Sequence, residues 1–198
     1  MFCLLSRIRG GWRRFFGRGV LPHQTAFTLL NPLRKLILNP KTLVQRLRLK
    51  SNHTVLEVGP GPGYFSVDVA KALTEGHLHL CDIQPEMLAK AKARLEAAGI
   101  SNVSFHEADA SKLPFESEQM DVVFLVAVLG EVEEQADCLA EVFRVLRPGG
   151  RLSITEQPGD PDLVPQHQIR ELAHSVGFSE EETFGSSRNF TVNFQKPV

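Results

Sequence analysis

Val55-Leu-Glu-Val-Gly-Pro-Gly-Pro-Gly-Tyr-Phe65 decides the fold of this 198-residue chain. Val55, Leu56 and Val58 are β-formers and read as a buried strand. Gly59, Gly61 and Gly63 follow at every second position, and an apolar helical pattern resumes at Tyr64. Glycines this close together let the backbone pass within contact distance of a ligand, with no Cβ in the way. The helix that follows offers unpaired N–H groups and the positive end of its dipole. At the carboxyl end of a central parallel strand, such a turn is a cradle for a nucleotide cofactor.

The spacing narrows the cofactor. A dinucleotide fingerprint requires G-x-G-x-x-G, whereas here the third glycine arrives one residue early. An acid, Glu57, stands two residues before the first glycine. Downstream, His77-Leu-His-Leu-Cys-Asp-Ile-Gln-Pro-Glu-Met87 is an apolar run ending in Asp82, about 20 residues past the glycines, as expected of an acid that accepts from ribose hydroxyls. Asp82 also reads as a helix N-cap ahead of Pro85, and the two roles are compatible. Val103-Ser-Phe-His-Glu-Ala-Asp-Ala110 is a second strand ending in an acid, followed by Ser111-Lys-Leu-Pro-Phe115. Met120-Asp-Val-Val-Phe-Leu-Val126 is a third, and Leu146-Arg-Pro-Gly-Gly-Arg-Leu-Ser-Ile154 leads into a fourth.

Taken in order from about Pro40 onward, these segments resemble the class I S-adenosylmethionine (SAM) methyltransferases of the small-molecule type, which include the ubiquinone/menaquinone-pathway methyltransferases. The glycine turn matches their E/D-x-G-x-G-x-G motif, and L-R-P-G-G-R-L before a strand is characteristic of them. The resemblance implies a SAM cofactor held by Glu57, Gly59, Gly61, Gly63, Asp82, Ile83, Asp109, Ala110, Leu125 and Val126. Glu57 would orient the methionine amino group, Ile83 would lie on the adenine, and Asp109 and Ala110 would meet the adenine edge. Leu125 and Val126 would touch the methionine part through their backbone. It also implies a Rossmann-like, doubly wound, mostly parallel seven-stranded sheet with one antiparallel strand near the C-terminus.

The residues support that architecture independently. Strands are expected near 53–58, 77–82, 102–107, 120–126 and 149–156, and helices near 63–74, 85–98, 133–146 and 165–176. Alternation of this kind means a mostly parallel sheet with helices on both faces. Two strands near 180–184 and 190–195 follow, joined as a hairpin by Gly185-Ser-Ser-Arg188. The chain divides into a basic segment (1–20), a helical cap broken at Pro22, Pro32 and Pro40 (21–50), and a SAM-binding domain (51–198).

Composition sets the remaining bounds. Three cysteines, Cys3, Cys81 and Cys138, lie far apart, so a reduced, cytoplasmic setting is favoured over a disulfide framework. No His/Cys spacing suits a metal, and no apolar run can span a bilayer. The formal net charge is −1, with 22 Lys and Arg against 23 Asp and Glu. No acid precedes Glu57, while half of the basic residues do. Leu5, Ile8, Trp12, Phe15 and Phe16 recur at helical spacing among Arg7, Arg9, Arg13, Arg14 and Arg18, a pattern that lies on anionic membrane surfaces. A tail packed on the domain, a disordered one and an RNA-contacting one are the competing readings. Apolar residues of the cap (Leu21, Phe27, Leu29, Leu30) favour a small, hydrophobic or lipid-like methyl acceptor.

The acceptor chemistry is less legible. Methyltransferases acting on nucleic-acid amino groups carry N-P-P-Y or D-P-P-Y after the fourth strand. Val126-Ala-Val-Leu-Gly-Glu-Val132 stands there instead and argues against nucleic acid. Many relatives have a histidine where this chain has Gly130, which removes one base. Glu131 and Glu156, near strand ends, are the candidate catalytic bases, with a helix-start acid and a loop salt bridge as their structural alternatives. His106 reads as structural, and His167 and His174 as surface residues. Two other functions compete: a non-catalytic SAM-binding domain acting through partners, and an NAD(P)-dependent dehydrogenase, against which the glycine spacing argues.

Overall fold

A computed structural model of the chain describes residues 38–198. The basic segment 1–20 and the first part of the cap lie outside the described residues. Within them the order is α1 (Pro40–Leu47), β1 (Thr54–Val58), α2 (Ser66–Ala72), β2 (His77–Asp82), α3 (Pro85–Ala97), β3 (Val103–Glu107), β4 (Met120–Val126), a 3₁₀ turn (Leu129–Glu131), α4 (Gln135–Val145), β5 (Leu146–Glu156), α5 (Gln166–Val176), β6 (Ser179–Ser186) and β7 (Asn189–Gln195).

The seven strands form one sheet in the order β3-β2-β1-β4-β5-β7-β6. β1 to β5 pair in parallel, and β7 runs antiparallel to both β5 and β6. The Rossmann-like expectation is met, including the single antiparallel strand. The strand order reverses between β1 and β4, and a crevice for ligand opens outside the carboxyl ends of strands at such a point.

Alternating side chains feed two cores. Val55, Leu78, Leu80, Val122 and Phe124 pack with α1, α2 and α3 on one face. Leu56, Val123, Leu125, Leu152 and Ile154 pack with α4 and α5 on the other. Burial on both sides explains why these strands read as nearly continuous apolar runs. Cys81 and Cys138 are fully buried, as core fillers are, and burial pushes both thiols up to about 12.

Helix α1 is fastened at both ends. The Asn39 side chain accepts from Lys41 N at 2.9 Å, with Pro40 opening the helix. At its other end, the carbonyls of Arg46 and Leu47 accept from Asn193 Nδ2 (2.8 Å) and Arg151 Nη1 (3.1 Å). Groups that any helix leaves orphaned are thereby tied to β7 and β5.

Between β3 and β4 there is no helix. Arg144 of α4 holds this connection instead: Nη1 donates to Phe115 O (2.8 Å), Nη2 to Leu113 O (3.1 Å), and Nε to Glu141 Oε1 (2.7 Å). Glu141 in turn accepts from Leu113 N at 2.9 Å. Without a covering helix, the nearby sheet surface carries His79 and His106, whose Nδ1 and Nε2 lie 3.1 Å apart beside Phe115. Burial first, then the neighbouring His77 and His106, hold His79 down to about 4. Arg144→Ala should cost about 1.5–3 kcal/mol, the range for hydrogen bonds to a charged group. Urea unfolding would check it, and an unchanged midpoint would show that the clamp contributes nothing.

Several boundaries differ from the sequence reading by one to three residues, among them the start of β5, which is Leu146 rather than near 149. The helix after the glycine turn starts at Ser66 rather than near 63, because Gly63 has φ +75° and cannot belong to a right-handed helix. The hairpin turn is only Ser187 and Arg188, since Gly185 and Ser186 already pair with Phe190 and Asn189. No helix among the described residues is long and apolar enough to cross a membrane.

Candidate functional site

Gly59, Gly61 and Gly63 all have positive φ, at +67°, +52° and +75°. L side chains rarely adopt this conformation, so the turn requires glycine. The space requires it too. A Cβ on Gly59 would stand 2.5 Å from Val128 Cγ2, and one on Gly63 would stand 3.1 Å from Ala91 Cα. The turn is therefore wedged between the segment following β4 and helix α3. Gly59 N donates to Cys81 O at 2.8 Å, which ties it to β2.

Three acids stand at or just past the carboxyl ends of neighbouring strands, on the same side of the sheet as this turn. Glu57 on β1 is 2 % exposed and accepts from Ser66 Oγ at 2.6 Å. Asp82 ends β2, and its Oδ1 accepts from Gln84 N at 2.9 Å. Gln84, rather than Asp82, is the N-cap of α3. Burial raises the Asp82 carboxyl above its ordinary value, opposed by the N–H groups of Gln84, Gly61 and Ile83. Thus the middle glycine of the turn faces the acid of β2. Ile83 beside it is 52 % exposed, a large aliphatic side chain left on the surface. Asp109, just past β3, is exposed, and its Oδ1 accepts from Ser111 N and Ser111 Oγ, both at 2.8 Å. Those two bonds hold its carboxyl below the usual range. Ala110 packs beside it against the core.

Leu125 and Val126 end β4 and are buried. The next residue, Ala127, has φ +55°, a left-handed conformation that costs a residue with a Cβ about 1–2 kcal/mol. Its N–H donates to Thr155 O at 2.8 Å. This strained residue aims Val128 at Gly59, and sequence reasoning passed over both. Neither Ala nor Val signals such a turn, and the only hint was a glycine with no room for a Cβ.

The candidate bases occupy the same end of the sheet. Glu131 closes the 3₁₀ turn and is half-buried. Glu156 ends β5 and is fully buried, with no hydrogen bond to either carboxylate oxygen. Burial first, then the charges of Asp160 and Glu131, push it up to about 8; the Val164 N–H pulls the other way without completing a hydrogen bond. Among the described residues no group of three or more His, Cys, Asp or Glu is arranged to hold a metal ion.

The glycine turn and the strand-end acids lie on one side of the sheet, at the carboxyl ends of the parallel strands. Comparison with known proteins identifies the family. The family described as Methyltransferase domain matches residues 49–182. The chain belongs to that family. As a methyltransferase of that family, it takes SAM as its cofactor. The ubiquinone/menaquinone biosynthesis C-methyltransferase UbiE of Ectopseudomonas mendocina is 37 % identical over 119 residues, covering 58 % of this chain and 46 % of that protein. The UbiE of Vibrio vulnificus is 36 % identical over 104 residues, covering 52 % and 40 %. The match thus spans about half the length of those curated relatives or less. A SAM-dependent methyltransferase from Aquifex aeolicus shares the fold with a TM-score of 0.83 at 21 % identity, over 89 % of this chain and all of that one. The [4+2]-cyclase SpnF also shares it, with a TM-score of 0.74 at 18 % identity, over 83 % of this chain and 82 % of that one. The fold alone therefore does not dictate the reaction.

Proposed function

We propose that this methyltransferase transfers the methyl group of SAM to a small, hydrophobic acceptor, most simply a quinone-like ring methylated at carbon. The observation that carries the cofactor half is the glycine turn at the point where strand order reverses, with Glu57 before it, Asp82 facing Gly61 and Asp109 past the end of the outer strand β3. Glu57 holds the methionine amino group, and the N–H groups of the turn face the methionine end. Asp82 accepts from both ribose hydroxyls. Ile83 covers one face of the adenine, while Asp109 and Ala110 meet its edge. The backbone at Leu125 and Val126 lines the methionine side. When bound, the cofactor supplies an electrophilic methyl group on a sulfonium. The chain supplies position and exclusion of water, which convert an encounter of two molecules into an oriented one.

The acceptor half is supported by sequence likeness to the UbiE C-methyltransferases and by the apolar cap. The direct test is incubation with SAM carrying a deuterated methyl group, in lipid and in polar extracts, followed by mass spectrometry. A lipid-soluble product bearing the label is expected. SAM binding without any labelled product in either extract would favour a non-catalytic SAM-binding domain.

Residues 1–20 would place the enzyme beside a lipid-soluble acceptor. Each Lys or Arg near an anionic surface contributes on the order of 1 kcal/mol, within a Debye length, and Trp12, Phe15 and Phe16 are suited to the interface. Removing residues 1–19 should abolish low-salt co-sedimentation with phosphatidylglycerol vesicles and leave SAM binding intact. Equal sedimentation of both forms would refute membrane contact.

A further inference from the structure

We propose that Glu156 is the group that takes the hydroxyl proton of the ring acceptor proposed above, taken in its reduced form. This rests on the methyl-transfer reading above.

Position comes first. Val128 abuts Gly59 of the cofactor turn. Ala127, one residue earlier, is hydrogen-bonded to Thr155 O, and Glu156 is the next residue of that strand. Glu156 therefore follows directly on the β5 residue that holds the segment packed on the cofactor turn. At Gly130, between β4 and Glu131, a Cβ would stand 1.8 Å from Asp162 O. The loop of residues 157–165 thus fills the place of any side chain there.

Chemistry comes second. A buried carboxyl whose two oxygens have no hydrogen bond is costly unless a ligand completes it. Of the two candidate acids, Glu156 alone is fully enclosed; Glu131 is half-buried, and it acts on Glu156 only as a neighbouring charge. The groups facing Glu156 are Asp160 and Val164 from the loop, Glu131 from the 3₁₀ turn and Phe190 from β7. Among the described residues, none of these is a cation. Loop 157–165 must lift for an acceptor to reach it.

The step balances as follows. The acceptor O–H proton passes to the Glu156 carboxylate. The conjugated carbon bonds the methyl carbon as the carbon–sulfur bond breaks, and that electron pair stays on sulfur. The ring C–H proton then returns to the acceptor oxygen through water, restoring the hydroxyl, and Glu156 releases its proton to solvent.

The test uses full-length protein, SAM and 1,4-naphthalenediol kept reduced, with Glu156→Gln and Glu131→Gln for comparison. For the wild type, turnover should rise with pH through about 8 as Glu156 ionises. Glu156→Gln should bind SAM unchanged by calorimetry, lose roughly a hundredfold or more in kcat and lose that rise. It should also unfold at a higher temperature than the wild type at pH 9 and close to it at pH 5, because folding disfavours the ionised acid. Glu131→Gln should keep the rise and shift it to lower pH. Wild-type kcat and pH profile in Glu156→Gln would overturn the assignment. Wild-type protein that binds SAM but neither binds nor methylates the diol would overturn the acceptor class. Wild-type protein that binds no SAM would overturn the parent reading.

Discussion

Gly61→Val should abolish SAM binding. Gly61 has φ +52°, and its N–H is turned toward the Asp82 carboxylate. A branched side chain disfavours that conformation and projects from the middle of the turn. Two consequences combine: the backbone leaves the left-handed region, and the link from the turn to the end of β2 is lost. Strain of this kind costs about 1–3 kcal/mol, which a domain of ordinary stability survives, so the variant should fold. Isothermal titration of the folded variant checks the expectation, and affinity near that of the wild type would remove the main support for the cradle.

Asp82→Ala should weaken SAM binding by roughly tenfold to a hundredfold. The proposed contact is two hydrogen bonds from the ribose diol, worth about 1.5–3 kcal/mol for a charged acceptor, and 1.4 kcal/mol is a factor of ten. Alanine also orphans the Gln84 N–H, which Asp82 satisfies at 2.9 Å. Asp82→Asn separates the two roles: it keeps an acceptor for Gln84 but loses the charge and one acceptor for the ribose. Asp109→Ala should act in the same direction with little cost to the fold, because Asp109 is exposed. Unchanged affinity in both alanine variants would show that the ribose and adenine assignments are wrong.

Much of this was legible because the relevant signals are local. β2 and β4 were read to the residue, since each is an apolar run ended by an acid or a turn. Glu57, Asp82 and Asp109 were singled out because each stands at or just past a strand end, and the structure puts all three on the carboxyl side of the sheet. What escaped depends on contacts between distant segments. The left-handed Ala127 is imposed by its bond to Thr155 O, and nothing in Val126-Ala-Val128 announces it. Gly130 was noticed as a missing histidine, but only the proximity of Asp162 explains it. Glu131 and Glu156 looked equivalent in the sequence. Their difference is burial beneath loop 157–165, which no local pattern encodes.

The Glu156 assignment and the quinol-like acceptor both depend on the cofactor being SAM and on the turn being its cradle. Calorimetric titration of the full-length protein with SAM, run beside an identical titration with NADH, tests that claim most directly. Saturable one-to-one binding of SAM, absent in Gly61→Val and absent for NADH, is the expected result. Folded wild-type protein that gives no saturable heat with SAM, or that binds NADH in its place, would contradict it.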